Sequence, residues 1–304
     1  MANLREIKGR IDSVKSTMQV TRTMEMISTA KIRRALDRAQ QAEPYKDAII
    51  RMLSHVAGAS SGTGEPLLQK HPHERCVLFV LIASDRGMAG GFNIQPQRMV
   101  QNEMERLEER GVACQLITAG RRPTEYFTFR GRKPVFSIQG NSSEPTMDDA
   151  ARIASYITDG YVSGAFDRVV IYYSHARNRV DQELVHEQIL PVTTEDLIMP
   201  NQPRDPEAVS DIDQRVASVY TFEPSASVVL GYLMPAYIRT IVHHALLDSA
   251  AAEHGARRRA MQSATDNAKE VITALSRTYN RERQGSITTE LTEIIAGASA
   301  LEDK

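Results

Sequence analysis

The sequence has no tryptophan, two cysteines and only 6% aromatic residues. So few aromatics, beside twelve methionines, argue for helix-rich packing and against a sandwich or an aromatic-lined barrel. Cys76 and Cys114 cannot build a disulfide framework or a multi-cysteine metal site. Both sit in apolar runs and read as core residues of a cytosolic, reducing compartment. Neither sign of charge dominates: 37 Lys+Arg face 38 Asp+Glu, a formal net charge of −1. That balance argues against nucleic acid or an anionic membrane surface as the main partner. Long apolar runs are also missing. The strongest, Val77 to Ala83, is far short of the roughly 20 residues a membrane helix needs, and the charged opening MANLREIKGR does not read as a signal peptide.

What is present separates by hydrophobic period into three zones along 304 residues, a length that allows roughly two domains. In the first, residues 1–57, Leu4, Ile7, Ile11, Val14 and Met18 follow the a/d spacing of a coiled coil. The apolar seam then slips by one residue and resumes at Val20, Met24 and Ile27. Gly9 is the only glycine before Pro44, which is placed to kink or break the helix. Uninterrupted, such a helix reaches about 60 to 80 Å. The segment Gly58-Ala-Ser-Ser-Gly-Thr-Gly64 reads as a flexible turn.

The middle zone, residues 75–215, changes period. Cys76 to Ala83 and Val169 to Tyr173 are short, continuous runs of the kind found in buried strands, with Val112 to Thr118 and Val135 to Ile138 as weaker candidates. Helical patterns lie between them at about 93–110, 121–130 and 147–163. Strands alternating with helices predict βαβ units in a Rossmann-like domain with a mainly parallel sheet. Pro191, Pro200, Pro203 and Pro206 mark a long connection out of it.

The third zone, residues 222–304, opens with Pro224, suited to a first helical turn, and Pro235 is placed to kink it early. Val229, Leu233, Tyr237, Ile241 and Ala245 form one seam; Ile287, Leu291, Ile294, Ala298 and Leu301 form another. Between them stand Ala252, Ala256, Ala260, Ala264 and Ala268, small residues that let two helices approach closely. The fold class predicted is therefore α/β: a long antiparallel coiled coil of the N- and C-terminal helices, a rod, carrying an α/β lobe on its side.

Candidate chemistry is thin. One glycine-rich loop, Ser84-Asp85-Arg86-Gly87-Met88-Ala89-Gly90-Gly91-Phe92-Asn93, follows the first strand and precedes a helix, where α/β domains bind phosphates. It matches neither G-x-G-x-x-G nor a P-loop, and the second strand ends Thr118-Ala119-Gly120 with no acid for a ribose; a tight structural turn is the simpler account. His71 and His73 alternate in a loop without a third ligand, His243 and His244 point to different faces of a helix, and His186-Glu187 lacks the second histidine of a zinc protease. Surface or satisfied core histidines account for all of them, and no motif calls for a metal or cofactor. Lys31, Arg33, Arg34 and Arg38, then Arg257, Arg258 and Arg259, then Arg277, Arg281 and Arg283 crowd the two helices. Composition alone reads these as a solvated face or as sites for acidic partner loops.

Three blocks are specific. Val14-Lys-Ser-Thr-Met-Gln-Val-Thr-Arg-Thr-Met24-Glu-Met-Ile-Ser-Thr-Ala-Lys31, Ala256-Arg257-Arg-Arg-Ala-Met261-Gln-Ser-Ala-Thr265-Asp-Asn267 and Tyr279-Asn280-Arg-Glu-Arg283-Gln284-Gly-Ser-Ile287-Thr288-Thr-Glu290-Leu-Thr-Glu293 resemble the terminal helices of the γ subunit of F-type ATP synthases. The Ser84, Asp85, Arg86, Gly87 loop through Gly90, Gly91 and Phe92 is similar to that family's signature loop, and the order of blocks matches over essentially the whole chain. The resemblance implies a central rotary shaft without catalytic sites of its own. It implies one copy inside a hexamer of α and β subunits, with the lobe beside ε and on the ring of c subunits, coupling ion flow to ATP synthesis or hydrolysis. It implies a peripheral location on the cytoplasmic face of the bacterial plasma membrane or an equivalent membrane, and no cofactor. Met24 matches the family's coupling methionine; Arg257, Arg283, Gln284, Thr288 and Glu293 match positions that meet it or the loops of β. Gly255 and Gly285 stand where the family usually has Ala, each costing a helix about 1 kcal/mol. The rival readings are a nucleotide-binding α/β enzyme and a plain coiled-coil scaffold.

Overall fold

The computed structural model describes residues 2–59, 65–178, 181–192, 222–223 and 225–302. Of the turn expected over residues 58–64, Gly58 and Ala59 belong to a helix and 60–64 lie outside the described residues, as do Pro200, Pro203, Pro206 and Pro224. Two compact units form: Met1–Thr29 with Arg257–Lys304, and Ala30–Ala256.

The larger unit is built on a sheet. Strands β1 (Cys76–Ile82), β2 (Ala113–Ala119), β3 (Phe136–Ile138), β4 (Arg168–His175) and β5 (Glu183–Leu190) lie in the order β3-β2-β1-β4-β5. The first four are parallel, as the alternation of strand and helix predicts, and β5 pairs antiparallel with β4. β5 escaped the sequence reading because its residues Glu183, Glu187 and Gln188 leave an edge strand mostly polar and only its end buried. β1 is central and wholly buried, which is why it reads as a continuous apolar run.

Each face of the sheet has its own core. Leu78, Val80, Ile82 and Ile117 pack with Ile153, Ile157 and Tyr161 of α4 (Met147–Val162), with Ile49 and Leu53 of α1 (Ala2–Ala59) and with Leu230, Met234, Ile238 and Val242 of α5 (Ala226–Glu302). On the opposite face Val77, Phe79 and Leu81 meet Val100, Met104 and Leu107 of α2 (Ile94–Glu108) and Phe127 of α3 (Arg121–Phe129). The result is three layers with helices on both faces, as parallel sheets require. α1 and α5 run through Pro44 and Pro235 without interruption; neither proline breaks its helix. The deepest residues of early α5 are Leu230, Met234, Ile238 and Val242, one position beyond the expected Val229, Leu233 and Ile241, which are only partly buried.

In the smaller unit α1 and α5 meet along a heptad seam. Buried or half-buried side chains fall at Leu4, Ile7, Ile11, Val14, Met18, Thr21, Glu25 and Ser28, flanked by Met24. The expected slip does not occur: Val20 and Ile27 are 56% and 53% exposed. The seam continues in phase through polar residues, which it tolerates because their hydroxyls are satisfied within the pair. Ser28 donates to the Met24 carbonyl at 2.8 Å; Thr21 and Thr265 lie 3.0 and 2.9 Å from the Met18 and Met261 carbonyls, and one of the two donates to its own helix while the other donates across the pair. On α5 the facing positions are Met261, Thr265, Ala268, Ile272, Leu275 and Tyr279. Thr21 and Thr265 touch hydroxyl to hydroxyl at 2.8 Å, the close approach that small residues allow. Ile7 is buried about four turns before Thr21, and a parallel partner for it would precede Arg257 and leave the unit. The helices are therefore antiparallel. Counting outward from the Thr21–Thr265 contact, α1 runs out opposite about Gln284. Beyond it Ile287, Leu291, Ile294 and Ile295 are 47%, 54%, 67% and 64% exposed.

Candidate functional site

In a doubly wound sheet, ligands enter where strand order reverses, at the carboxyl ends of the strands. Here that place lies beyond β1, and the glycine-rich loop occupies it. Ser84 is buried, and both its N–H and its hydroxyl donate to Asn93 Oδ1 at 3.0 and 2.9 Å, closing the loop into a ring. Met88 and Gly90 sit at φ 62° and 59°, in the left-handed region. Asp85 points back across the sheet. Its carboxylate accepts the N–H groups of Arg121 at 2.8 Å, Gly140 at 3.0 Å and Ser142 at 2.9 Å. Burial would raise the proton affinity of this carboxyl, but the three backbone N–H donors outweigh it and hold it below the usual aspartate range.

Arg121 is the first residue of α3, so Asp85 occupies the helix N-terminus at which a phosphate would bind. The remaining cavity, among Ile82, Gly120, Asn141, Ser142 and Leu246, is about 20 Å³, room for one water at most. Gly120, at φ 112°, seals the other side: a Cβ there would lie 2.4 Å from the Ala83 carbonyl oxygen. The chain's own carboxylate thus fills the site that a nucleotide-binding enzyme would keep open.

The same loops are tied to α5 by Asp248 and Glu253, which the sequence reading did not single out, and by Ala252 and Ala256, expected between the two terminal helices but packed here on the glycine-rich loop. Asp248, 3% exposed, accepts the Ala176 N–H at 3.0 Å and pairs with His175, the last residue of β4. Glu253, 1% exposed, accepts from the Ser142 hydroxyl at 3.2 Å. Ala252 and Ala256 pack against Ala83, Ala89 and Phe92 of the glycine-rich loop. The available signal was two acids inside Asp248-Ser-Ala-Ala-Ala-Glu253, a stretch otherwise of small residues. His71 is taken up by Asp167, at 2.8 Å, and stacks on Tyr161. His243 and His244 line a cleft of about 580 Å³ with Arg38, Tyr45 and Thr240.

A family model described as ATP synthase matches residues 3–301. The chain belongs to the F-type ATP synthase gamma family. Solved structures similar to this gamma-family chain include one from the Euglena gracilis mitochondrial ATP synthase in rotational state 3, at 19% identity and a TM-score of 0.67, covering 99% of this chain and 95% of that one. Another, from the Euglena gracilis rotor in rotational state 1, gives 16% and 0.60 over 94% and 99%. A chain of the Tetrahymena thermophila central stalk and c-ring gives 21% and 0.57 over 81% and 99%. At these identities the likeness is one of fold.

Within this gamma-family chain the residues matched to coupling positions separate into two groups. Met24 is half-buried beside the seam and Arg257 is 7% exposed; the Thr21–Thr265 contact sets them within about two turns of each other along the pair. Arg283, Gln284, Thr288 and Glu293 are all exposed and lie about 40 Å or more along α5 from Arg257. They cannot touch Met24. Thr288 turns its hydroxyl to the Gln284 carbonyl at 2.9 Å.

Proposed function

We propose that this chain is the central rotary shaft of an F-type ATP synthase, non-catalytic itself, turning inside an α/β hexamer and linking it to ε and the c-ring. The observation that carries the reading is the end of α5. Beyond Gln284 the helix has no partner among the described residues, yet it presents Ile287, Leu291, Ile294 and Ile295 to solvent. An apolar helix tip left bare in the isolated subunit is complementary to an apolar collar. Apolar contact is non-directional, so such a surface favours no single angle. Arg283, Gln284, Thr288 and Glu293 are the residues that partner loops reach. Met24 and Arg257 act inside the pair, where they set its local geometry. The Asp85-filled switch point supports a structural lobe over a nucleotide-binding enzyme. Rotation couples distant sites because each β conformation meets a different face of the shaft.

No described helix is long and apolar enough to cross a membrane. In this reading the chain reaches the cytoplasmic face of the bacterial plasma membrane, or an equivalent energy-transducing membrane, through its complex. The test is purification from native membranes with a tag inserted at the exposed turn Glu109 to Gly111. Recovery of α, β and ε with ATP hydrolysis is expected; recovery of the chain alone without ATPase overturns the reading. Truncation from Ile295 is expected to lower ATP-driven pumping in the assembled complex, and unchanged pumping and hydrolysis would remove the bearing role from the tip.

A further inference from the structure

Every parallel strand of the lobe ends in a loop that is fastened to α5, directly or through Asp85. The β4 exit is held by Asp248, which takes the Ala176 N–H and His175. The β1 exit is held by Ala252 and Ala256 against Ala89 and Phe92. The β3 exit is held by Glu253 through Ser142. Asp85 then joins the β1 loop to the start of α3 and to Gly140 and Ser142. Ser142 is the node: its Oγ accepts the Asp85 N–H at 2.9 Å while donating to Glu253.

We propose that the chain Asp85–Ser142–Glu253 is a torsional lock between the α/β lobe and α5, a directional contact that, beside Asp248 at the β4 exit, turns the helix with the lobe. This rests on the rotary reading above. The physical argument is one of direction and lever. Alanine contacts are short and smooth; they resist separation of helix and loop but resist rotation about the helix axis poorly. A hydrogen bond from a long side chain is directional and acts farther from the axis. Burying Glu253 to 1% exposure is costly unless it is well partnered, and an alanine in this stretch would serve stability as well or better. A buried carboxylate kept among alanines at the turn of α5 that meets the Ser142 hydroxyl fits a role in fixing angle.

The test uses the assembled complex with a bead attached at the Glu109 to Gly111 turn and the hexamer held to a surface. Three variants are compared: Ser142→Ala, Glu253→Ala and Glu253→Gln. Removing a hydrogen bond to a charged acceptor is expected to speed amide exchange at residues 140–146 about ten-fold in the first two. It is also expected to widen the angular spread of the bead within each dwell, with the hydrolysis rate unchanged. Glu253→Gln keeps an acceptor oxygen for Ser142 and is expected to restore the narrow spread. Faster exchange with an unchanged angular spread in Ser142→Ala overturns the lock and leaves these residues a stabilising role only. Equal loss in Glu253→Gln and Glu253→Ala overturns the hydrogen bond as its agent. Should Glu253→Ala fail to assemble, Ser142→Ala, which removes one oxygen, decides the matter. Failure of the unsubstituted chain to enter an ATPase complex would instead overturn the rotary reading.

Discussion

At the scale of single residues, the lobe depends on places where only one side chain fits. Gly120 is the sharpest. Its φ of 112° excludes a side chain on backbone grounds, and the Ala83 carbonyl excludes one on steric grounds. Gly120→Ala is expected to destabilise the larger unit by about 3 kcal/mol or more, read as a fall in the urea midpoint. A midpoint within error of the parent would mean the loop yields without strain. Asp85 shows the complementary logic, a charge that needs no ligand because backbone donors already satisfy it. The glycine-rich loop was visible in the sequence as a departure from the dinucleotide and P-loop spacings. That Asp85 itself takes the anion's place was not visible, because its partners Arg121, Gly140 and Ser142 come from other loops.

At the scale of elements, β1 to β4 and the three helices between them were legible within about two residues, because each carries an apolar run or stripe that packs into the core. β5 was lost to its polar edge. The seam of α1 shows a different limit. Reading only apolar residues moved the stripe onto Val20 and Ile27, whereas Thr21 and Ser28 stay inward because their hydroxyls find partners within the pair. The two phases predict opposite results. Ile11→Ala is expected to cost the smaller unit about 2 kcal/mol or more, while Ile27→Ala stays within about 0.5 kcal/mol, both measured as thermal midpoints of the isolated chain. Equal effects would return the seam to the slipped phase. The proposed coupling residues rest on resemblance alone, and the structure divides them by depth: Met24 and Arg257 within the pair, Arg283, Gln284, Thr288 and Glu293 on the outside.

At the scale of the whole molecule, the near-zero net charge hides opposed titrations gathered in the larger unit. Burial and nearby Lys46 and His175 push His244 down to about 4, against the pull of Asp248 and Asp47. Below its unfolded pKa near 6.5 the unfolded chain takes up a proton that the folded chain refuses, so this contribution is full above pH 6.5 and is lost as pH falls toward 4. His175 runs the other way. The hydrogen bond and charge of Asp248 raise it, despite burial and Lys46, so its contribution is full below pH 6.5 and is lost as pH rises through its folded pKa. The two cross near pH 6.5, and Asp85, Asp149 and Asp167, all held low, add a further loss only below about 3.8. Stability of the larger unit is therefore expected to peak just above pH 6.5 and to fall on both sides, with the first acid loss belonging to His244. His244→Gln is expected to flatten the thermal midpoint between pH 6.5 and 4 while leaving the alkaline fall in place, because His175 and Asp248 still pair. An acid limb as steep in His244→Gln as in the parent would show that the proton enters elsewhere, with His243, which burial also lowers, the next group to substitute.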